Sequence, residues 1–322
     1  MLDLELIERT DPIFPRRLTR VTRAVGNAFF RAPPRTDVRL EGTEHLPAGP
    51  AIFSPNHTHK FDFLPIRVAL LGLDVHLITW IKARDYRDRA MRAFFAHTGN
   101  IGLASRGYVI ASDFATVCGR RPTEAEYREL RDHVDTGARL DPALAERLER
   151  KSRAILGTPF DPSQLGYREA VRETYFALMQ ATLERARVGR DAGHHQHIYP
   201  QGSTSAQLTP GRTGAVQAAL ALDVPVVPVG ISGCREVFRG STPLAMGGEI
   251  VIRFGAPIRV PPAVVPANFR PFHPDDEMEQ HTPLTHQTAE LMERINALCD
   301  PRYRWAADKK SDAKQGVARF FE

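Results

Sequence analysis

The sequence predicts an α/β fold: a central mixed, largely parallel sheet flanked by helices, with an N-terminal amphipathic helical region and a helical insertion. Three observations carry this. After Pro34, short apolar runs alternate with longer segments of helical period, the pattern of strand and helix units rather than of a sandwich or a bundle. Before it, residues 14–30 space their apolar side chains at three- and four-residue steps. Between residues 120 and 153, nine basic residues nearly balance eight acidic ones, which is the composition of solvated helices. With 322 residues and 42% apolar content, the chain can bury a real core in one large domain or two small ones. Disordered and fibrous classes are excluded, and no self-similarity at repeat-length periods is present.

Taken in order, the first residues carry Asp3, Glu5 and Glu8 and no long apolar stretch, unlike a signal peptide. In residues 14–30, Phe14, Leu18, Val21, Val25, Phe29 and Phe30 form a stripe, with Arg16, Arg17, Arg20 and Arg23 largely off it, and Pro33-Pro34 ends the helix. Six arginines and no acid lie between residues 12 and 35. Such a helix either packs on the core with a solvated basic face or lies on an anionic bilayer surface. Strands are expected at 38–40, 51–54, 75–79, 100–103, 196–199, 224–229 and 250–254, and helices at 64–71, 86–98, 166–188, 212–222 and 284–298. The charged stretch 120–153 reads as an insertion broken around Gly137 and Pro142. Residues 260–274 read as a proline-rich loop and 309–322 as a loosely ordered tail. Arg302, Tyr303, Arg304 and Trp305 form either a structural cap or an interfacial anchor.

Charge and cysteine usage bound the setting. The net charge of +5 favours acidic or phosphate-bearing partners, but the balanced insertion is not a nucleic-acid patch. The best apolar run, 68–73, stops at Asp74 and is far shorter than the roughly 18 residues of a spanning helix. Cys118, Cys234 and Cys299 are far apart, so neither a disulfide framework nor a thiolate zinc site is expected, and a reducing, cytoplasmic setting fits. His194, His195 and His197 lack a carboxylate or cysteine at ligand spacing and read as solvated or core histidines, with no metal. No phosphate-binding glycine motif precedes a helix.

The segment Ser54-Pro55-Asn56-His57-Thr58-His59-Lys60-Phe61-Asp62 follows an apolar strand and precedes a helix, at the strand end where open α/β sheets usually place their chemistry. His57 and Asp62 are five apart and would not share a helix face, so they meet only across a turn. A carboxylate so placed holds one imidazole nitrogen while the other takes a proton. No serine or cysteine stands in a nucleophile elbow, so a substrate hydroxyl is the natural attacker.

Asn56-His57 with Asp62 resembles the NHxxxxD motif of the 1-acylglycerol-3-phosphate acyltransferase family, the glycerolphosphate and lysophospholipid acyltransferases. Three further blocks follow in the family's order, covering roughly residues 38–257. Gly99-Asn100-Ile101-Gly102-Leu103-Ala104-Ser105-Arg106 is similar to the second block, whose arginine the family uses near the acceptor's phosphate, a role suited to a guanidinium's paired donors. Ile198-Tyr199-Pro200-Gln201-Gly202-Ser203-Thr204-Ser205 is similar to the third, and Val224-Pro225-Val226-Val227-Pro228-Val229 to the fourth. In the third block Gln201 replaces the usual glutamate and Thr204 the usual arginine, so both charges are missing. Lys60 or Arg212 then stands as a replacement cation. The HHxxxD motif of a different acyltransferase superfamily is disfavoured, because Thr58 stands where it needs a histidine.

The resemblance implies an acyltransferase domain over residues 37–300, between an N-terminal region 1–36 and a tail 301–322. It implies transfer of a fatty acyl group from acyl-CoA or acyl carrier protein to a lysophospholipid-type hydroxyl, 1-acylglycerol-3-phosphate first, without metal or redox cofactor. His57 and Asp62 are the implied catalytic residues; Asn56, Arg106, Gln201, Gly202, Ser203 and Thr204 are the implied substrate-binding ones. The partners are a lipid acceptor, an acyl thioester and a membrane surface, met peripherally from the cytoplasm, with no nucleic acid. The rival reading is a lipid or acyl-CoA binding protein on the same fold that has lost turnover through its altered third block, and a third is a hydrolase admitting water.

Overall fold

The computed structural model describes residues 1–13, 15–240, 242–308 and 316–321; within these, the side chains of 16–18, 90, 96 and 97 are not described. Among the described residues nine strands form: β1 (Thr36–Glu41), β2 (Ile52–Pro55), β3 (Leu77–Lys82), β4 (Asn100–Leu103), β5 (Arg153–Ile155), β6 (Thr158–Phe160), β7 (His195–His197), β8 (Val226–Ser232) and β9 (Gly248–Phe254). Seven of them make one sheet in the order β1-β9-β8-β2-β7-β3-β4. The pairs β1–β9, β8–β2, β2–β7 and β7–β3 are parallel, and β8–β9 is antiparallel. The expected mixed, largely parallel α/β sheet is therefore present. β2, β7 and β8 are buried at every residue, as parallel strands covered on both faces must be.

The chain divides into two compact units, one of Met1–Asp11, Ile81–Arg185 and Lys314–Glu322, the other of Pro12–Trp80 and Ala186–Ala313. In the latter, helix Phe63–Leu71 covers the sheet with Ile66, Val68 and Leu70, which join Phe53, Val227, Val229, Ile231, Ile250 and Ile252 in the core. Helix Arg16–Arg31 lies on it through Gly26, where any Cβ would collide with Val68. Phe30 enters the same core, whereas Val21 and Val25 are 56% and 63% exposed. Both readings of the amphipathic helix thus have residues behind them: its C-terminal half packs, and its middle leaves apolar side chains uncovered. Phe14 and the side chains of Arg16, Arg17 and Leu18 lie outside the described residues.

In the other unit, the charged stretch forms helices Glu124–Thr136 and Pro142–Leu148, broken at Gly137 as expected. Helix Arg106–Cys118, which the periodicity does not reveal, starts at Ser105, whose hydroxyl accepts the Tyr108 N–H, and buries Val109, Ile110 and Phe114. Its Asp113 pairs with Arg153 at 2.6 Å. The short hairpin β5–β6 and helix Leu4–Arg9 are likewise not anticipated. The tail expectation needs correction in part. Residues 309–315 and 322 lie outside the described residues, but helix Ala318–Phe321 buries Phe320 against Tyr127, and the Val317 N–H donates to Glu124 at 2.7 Å. Within residues 301–305 the capping contacts are present: Tyr303 is buried, its hydroxyl accepts the Gly233 N–H at 3.0 Å, and it donates to Glu236.

Candidate active site

The site begins where β2 ends. Asn56 carries the β2–β8 pairing one step beyond Pro55 with its side chain, since its Nδ2 donates to the Ile231 carbonyl at 2.9 Å and its Oδ1 accepts the Ile231 N–H at 2.7 Å. Asn56 is therefore a buried tie between strand and loop. The chain then turns through residues 58–62 into helix Phe63–Leu71, and the turn is closed by Asp62. Its Oδ2 accepts the backbone N–H groups of Thr58 (2.9 Å) and His59 (3.1 Å), while the His57 Nδ1 lies 3.0 and 3.1 Å from its two oxygens. The five-residue separation that a helix could not bridge is bridged by this turn.

The Asp62 side chain has no solvent exposure. Burial by itself would raise its pKa, but the electrostatic interaction with the His57 imidazole, the hydrogen bonds from His57 and the His59 backbone and the neighbouring Tyr199 hydroxyl outweigh it, and the net shift is downward. The carboxylate is accordingly ionised at neutral pH. An ionised partner fixes Nδ1 as the protonated ring nitrogen, leaving Nε2, which hydrogen-bonds to no described residue, as the basic one. His59, half-buried, is held below the usual imidazole pKa mainly by burial; its Nε2 meets the Gly240 carbonyl at 3.2 Å and its ring stacks on Phe238.

The third sequence block grips His57 by its backbone. Gln201 Oε1 accepts the His57 N–H at 2.8 Å, and the His57 carbonyl accepts the Ser205 N–H at 2.8 Å. Gln201 is buried, and its Nε2 donates to Thr209 Oγ1 at 3.1 Å and faces the Gln207 carbonyl at 3.5 Å. Gly202 takes φ +67, a conformation that favours glycine, with the Arg212 side chain directly over it. Ser203 and Thr204 are half-buried in the same turn. Beneath it the Tyr199 ring stacks on the His57 imidazole, with centroids 3.9 Å apart. His197 is fully buried, meets Thr79 Oγ1 at 3.2 Å and is pushed by burial down to about 3, so it stays neutral.

The fold thus brings Asn56, His57, Asp62, Gln201, Gly202, Ser203 and Thr204 together in one unit. Of the two candidate replacement cations, Arg212 borders this turn, and the Lys60 ammonium sits 4.7 Å over the Phe61 ring. Arg106 belongs to the other unit as the first residue of helix Arg106–Cys118. There its Nε lies 3.1 Å from Asp135, and its guanidinium 5.8 Å from the Tyr175 ring. Two neighbours were not singled out from sequence: Tyr199, visible only as the aromatic of its block, and Asp135, which has no sequence signal. Among the described residues, no cluster of His, Cys, Asp and Glu is placed to hold a metal ion.

No family model matches the chain, and no curated protein matches it. Among solved structures it is similar to the 1-acyl-sn-glycerophosphate (LPA) acyltransferase PlsC from Thermotoga maritima, with 14% identity and a TM-score of 0.42 over 87% of this chain and 80% of that one.

Proposed function

We propose that the protein is an O-acyltransferase that moves a fatty acyl group from a thioester, acyl-CoA or acyl carrier protein, to the hydroxyl of a lysophospholipid-type acceptor, with 1-acylglycerol-3-phosphate as the first candidate. The observation that carries this reading is the His57–Asp62 pair: a buried, ionised carboxylate on Nδ1, an Nε2 without a partner among the described residues, and a backbone clamped at both N–H and C=O. The acceptor hydroxyl gives its proton to His57 Nε2 as its oxygen attacks the thioester carbonyl. The tetrahedral intermediate then breaks its C–S bond, and the leaving thiolate takes the proton back from the imidazolium, which Asp62 has stabilised meanwhile. The turn 201–204 flanks His57 and supplies backbone and hydroxyl donors for the developing oxyanion. The motif resemblance assigns Arg106 to the acceptor's anionic group.

A lipid acceptor requires access to a membrane surface. Among the described residues no helix is long and apolar enough to cross a membrane, and peripheral attachment through helix Arg16–Arg31 is part of the same proposal. A screen of lysophospholipids against radiolabelled acyl-CoA and acyl carrier protein tests it. Labelled diacyl product that disappears in His57→Ala supports the reading. Thioester hydrolysis independent of acceptor points to the hydrolase, and binding without turnover to the decayed binder.

A further inference from the structure

A hydrogen bond fixes one point of an imidazole, not its plane. His57 is held at Nδ1 by both oxygens of Asp62 and can still swing about that contact, moving Nε2 away from wherever an acceptor hydroxyl must sit. The Tyr199 ring removes this freedom: it lies against the imidazole face with centroids 3.9 Å apart and planes 23° apart. Tyr199 is itself wedged. Its other neighbour is the buried His197 ring, at 4.6 Å and 55°, and its backbone is fixed on both sides, since the Ile198 N–H donates to the Phe53 carbonyl at 3.0 Å and the Gly202 N–H to the Tyr199 carbonyl at 3.1 Å. The Tyr199 hydroxyl is buried beside Asp62, whose carboxyl pKa it helps hold down, but it finds no hydrogen-bond partner of ordinary geometry, whereas the ring makes a close stacked contact with His57.

We infer that Tyr199 is a positioning residue whose ring sets the plane of the His57 imidazole, keeping Nδ1 on Asp62 and Nε2 presented to the acceptor. This rests on the acyltransferase reading for its purpose, but not for its geometry. A contact that orients the base without touching substrate acts on kcat and leaves both KM values nearly unchanged. It also holds one ring orientation, which the line widths of the His57 ¹⁵N and carbon-bound ring-proton signals report directly.

The test compares Tyr199→Phe and Tyr199→Leu with the wild type, using ¹⁵N-histidine spectra of the substrate-free protein and steady-state transfer assays. Tyr199→Phe keeps the stack and is expected to retain the single Nδ1–H tautomer of His57 and a kcat within about twofold of wild type. Tyr199→Leu should keep the Nδ1–H tautomer that Asp62 fixes but broaden the His57 ring signals as the imidazole swings, and should lose roughly tenfold or more in kcat, with both KM values within about twofold. A leucine variant with wild-type His57 line widths and kcat overturns the inference, as does a phenylalanine variant that behaves like leucine. Should the leucine variant not fold, the wild type still decides: the carbon-bound ring protons of His57 must be shifted upfield by the Tyr199 ring current, and unshifted signals overturn the inference. Because the spectra need no substrate, a chain that transfers no acyl group fails the functional reading alone.

Discussion

The side chain of Gln201 accepts the backbone N–H of His57 at 2.8 Å while its amide nitrogen donates to the Thr209 hydroxyl at 3.1 Å. A residue placed by resemblance among the substrate-binding set is thus part of the frame that holds the proposed base. Glutamate preserves the acceptor for His57, and Thr209 can turn its hydroxyl proton toward it. Gln201→Glu should therefore change activity modestly. Gln201→Ala leaves a buried N–H unsatisfied, at a cost of about 1–3 kcal/mol, and should lower both kcat and the melting temperature. Paired transfer assays and thermal melts check the order, and a large gain on restoring glutamate would favour a decayed enzyme.

Under the proposed mechanism His57→Ala should reduce transfer by roughly 10²–10⁴-fold; because its side chain is 12% exposed and pairs with the buried Asp62, the variant should also be less stable. Asp62→Asn should lose most activity too. Asparagine is a cleaner probe than alanine, because Asp62 also accepts the Thr58 and His59 N–H groups that close the turn. Far-ultraviolet circular dichroism with radiolabelled transfer separates lost catalysis from lost fold, and wild-type rates in folded His57→Ala would sink the mechanism.

Arg106→Ala should raise the acceptor KM far more than the donor KM if the acceptor is anionic. The Arg106–Asp135 ion pair leaves both side chains 31% exposed, and such pairs contribute only about 0–1 kcal/mol to stability. The melting temperature should accordingly move little, so a KM effect cannot be a folding effect. Equal changes in both KM values would assign Arg106 a structural role only.

Stability should fall in mild acid. Burial depresses His197 to about 3 and His195 to about 4 from an ordinary 6.5, so between those limits the unfolded chain binds more protons than the folded one. Stability from these groups is present above about pH 6.5 and is lost as pH falls toward 4, with a slope of at most about 1.4 kcal/mol per pH unit for each histidine. Asp62, whose folded value is also depressed, adds a further loss only below the ordinary carboxylate range. Denaturant titrations from pH 7 to 4.5 should show this slope, and His197→Gln should reduce it whatever its effect at pH 7.

Membrane attachment should be reversible and salt-sensitive. Each arginine near an anionic surface contributes about 1 kcal/mol, and Arg20, Arg23 and Arg31 are exposed on helix Arg16–Arg31. Liposome sedimentation should rise with anionic lipid and fall with salt. Deleting residues through Arg31 should weaken it, but would also remove Phe30 from the core; Val21→Ser with Val25→Ser spares the core and should weaken it as well. Unchanged sedimentation of that double variant would assign attachment to another surface.

The sequence by itself determined the α/β class, the seven strands of the main sheet to within a few residues, and the loop carrying His57 and Asp62. These are local properties: apolar runs buried on both faces are readable without neighbours, and a polar loop between a strand and a helix marks its own place. It also located the break at Gly137. It did not reveal helix Arg106–Cys118, whose nearly all-round burial erases amphipathic periodicity, or the β5–β6 hairpin, whose three-residue strands are too short to alternate visibly. Only the tertiary structure decided that Gln201 holds the His57 amide from 144 positions away, that Tyr199 stacks on its ring and that Asp135 pairs with Arg106. Each of these is a contact between segments that no spacing rule links. The direction of a side chain within a buried turn is set by the groups packed around it, and those come together only when the sheet has ordered its strands.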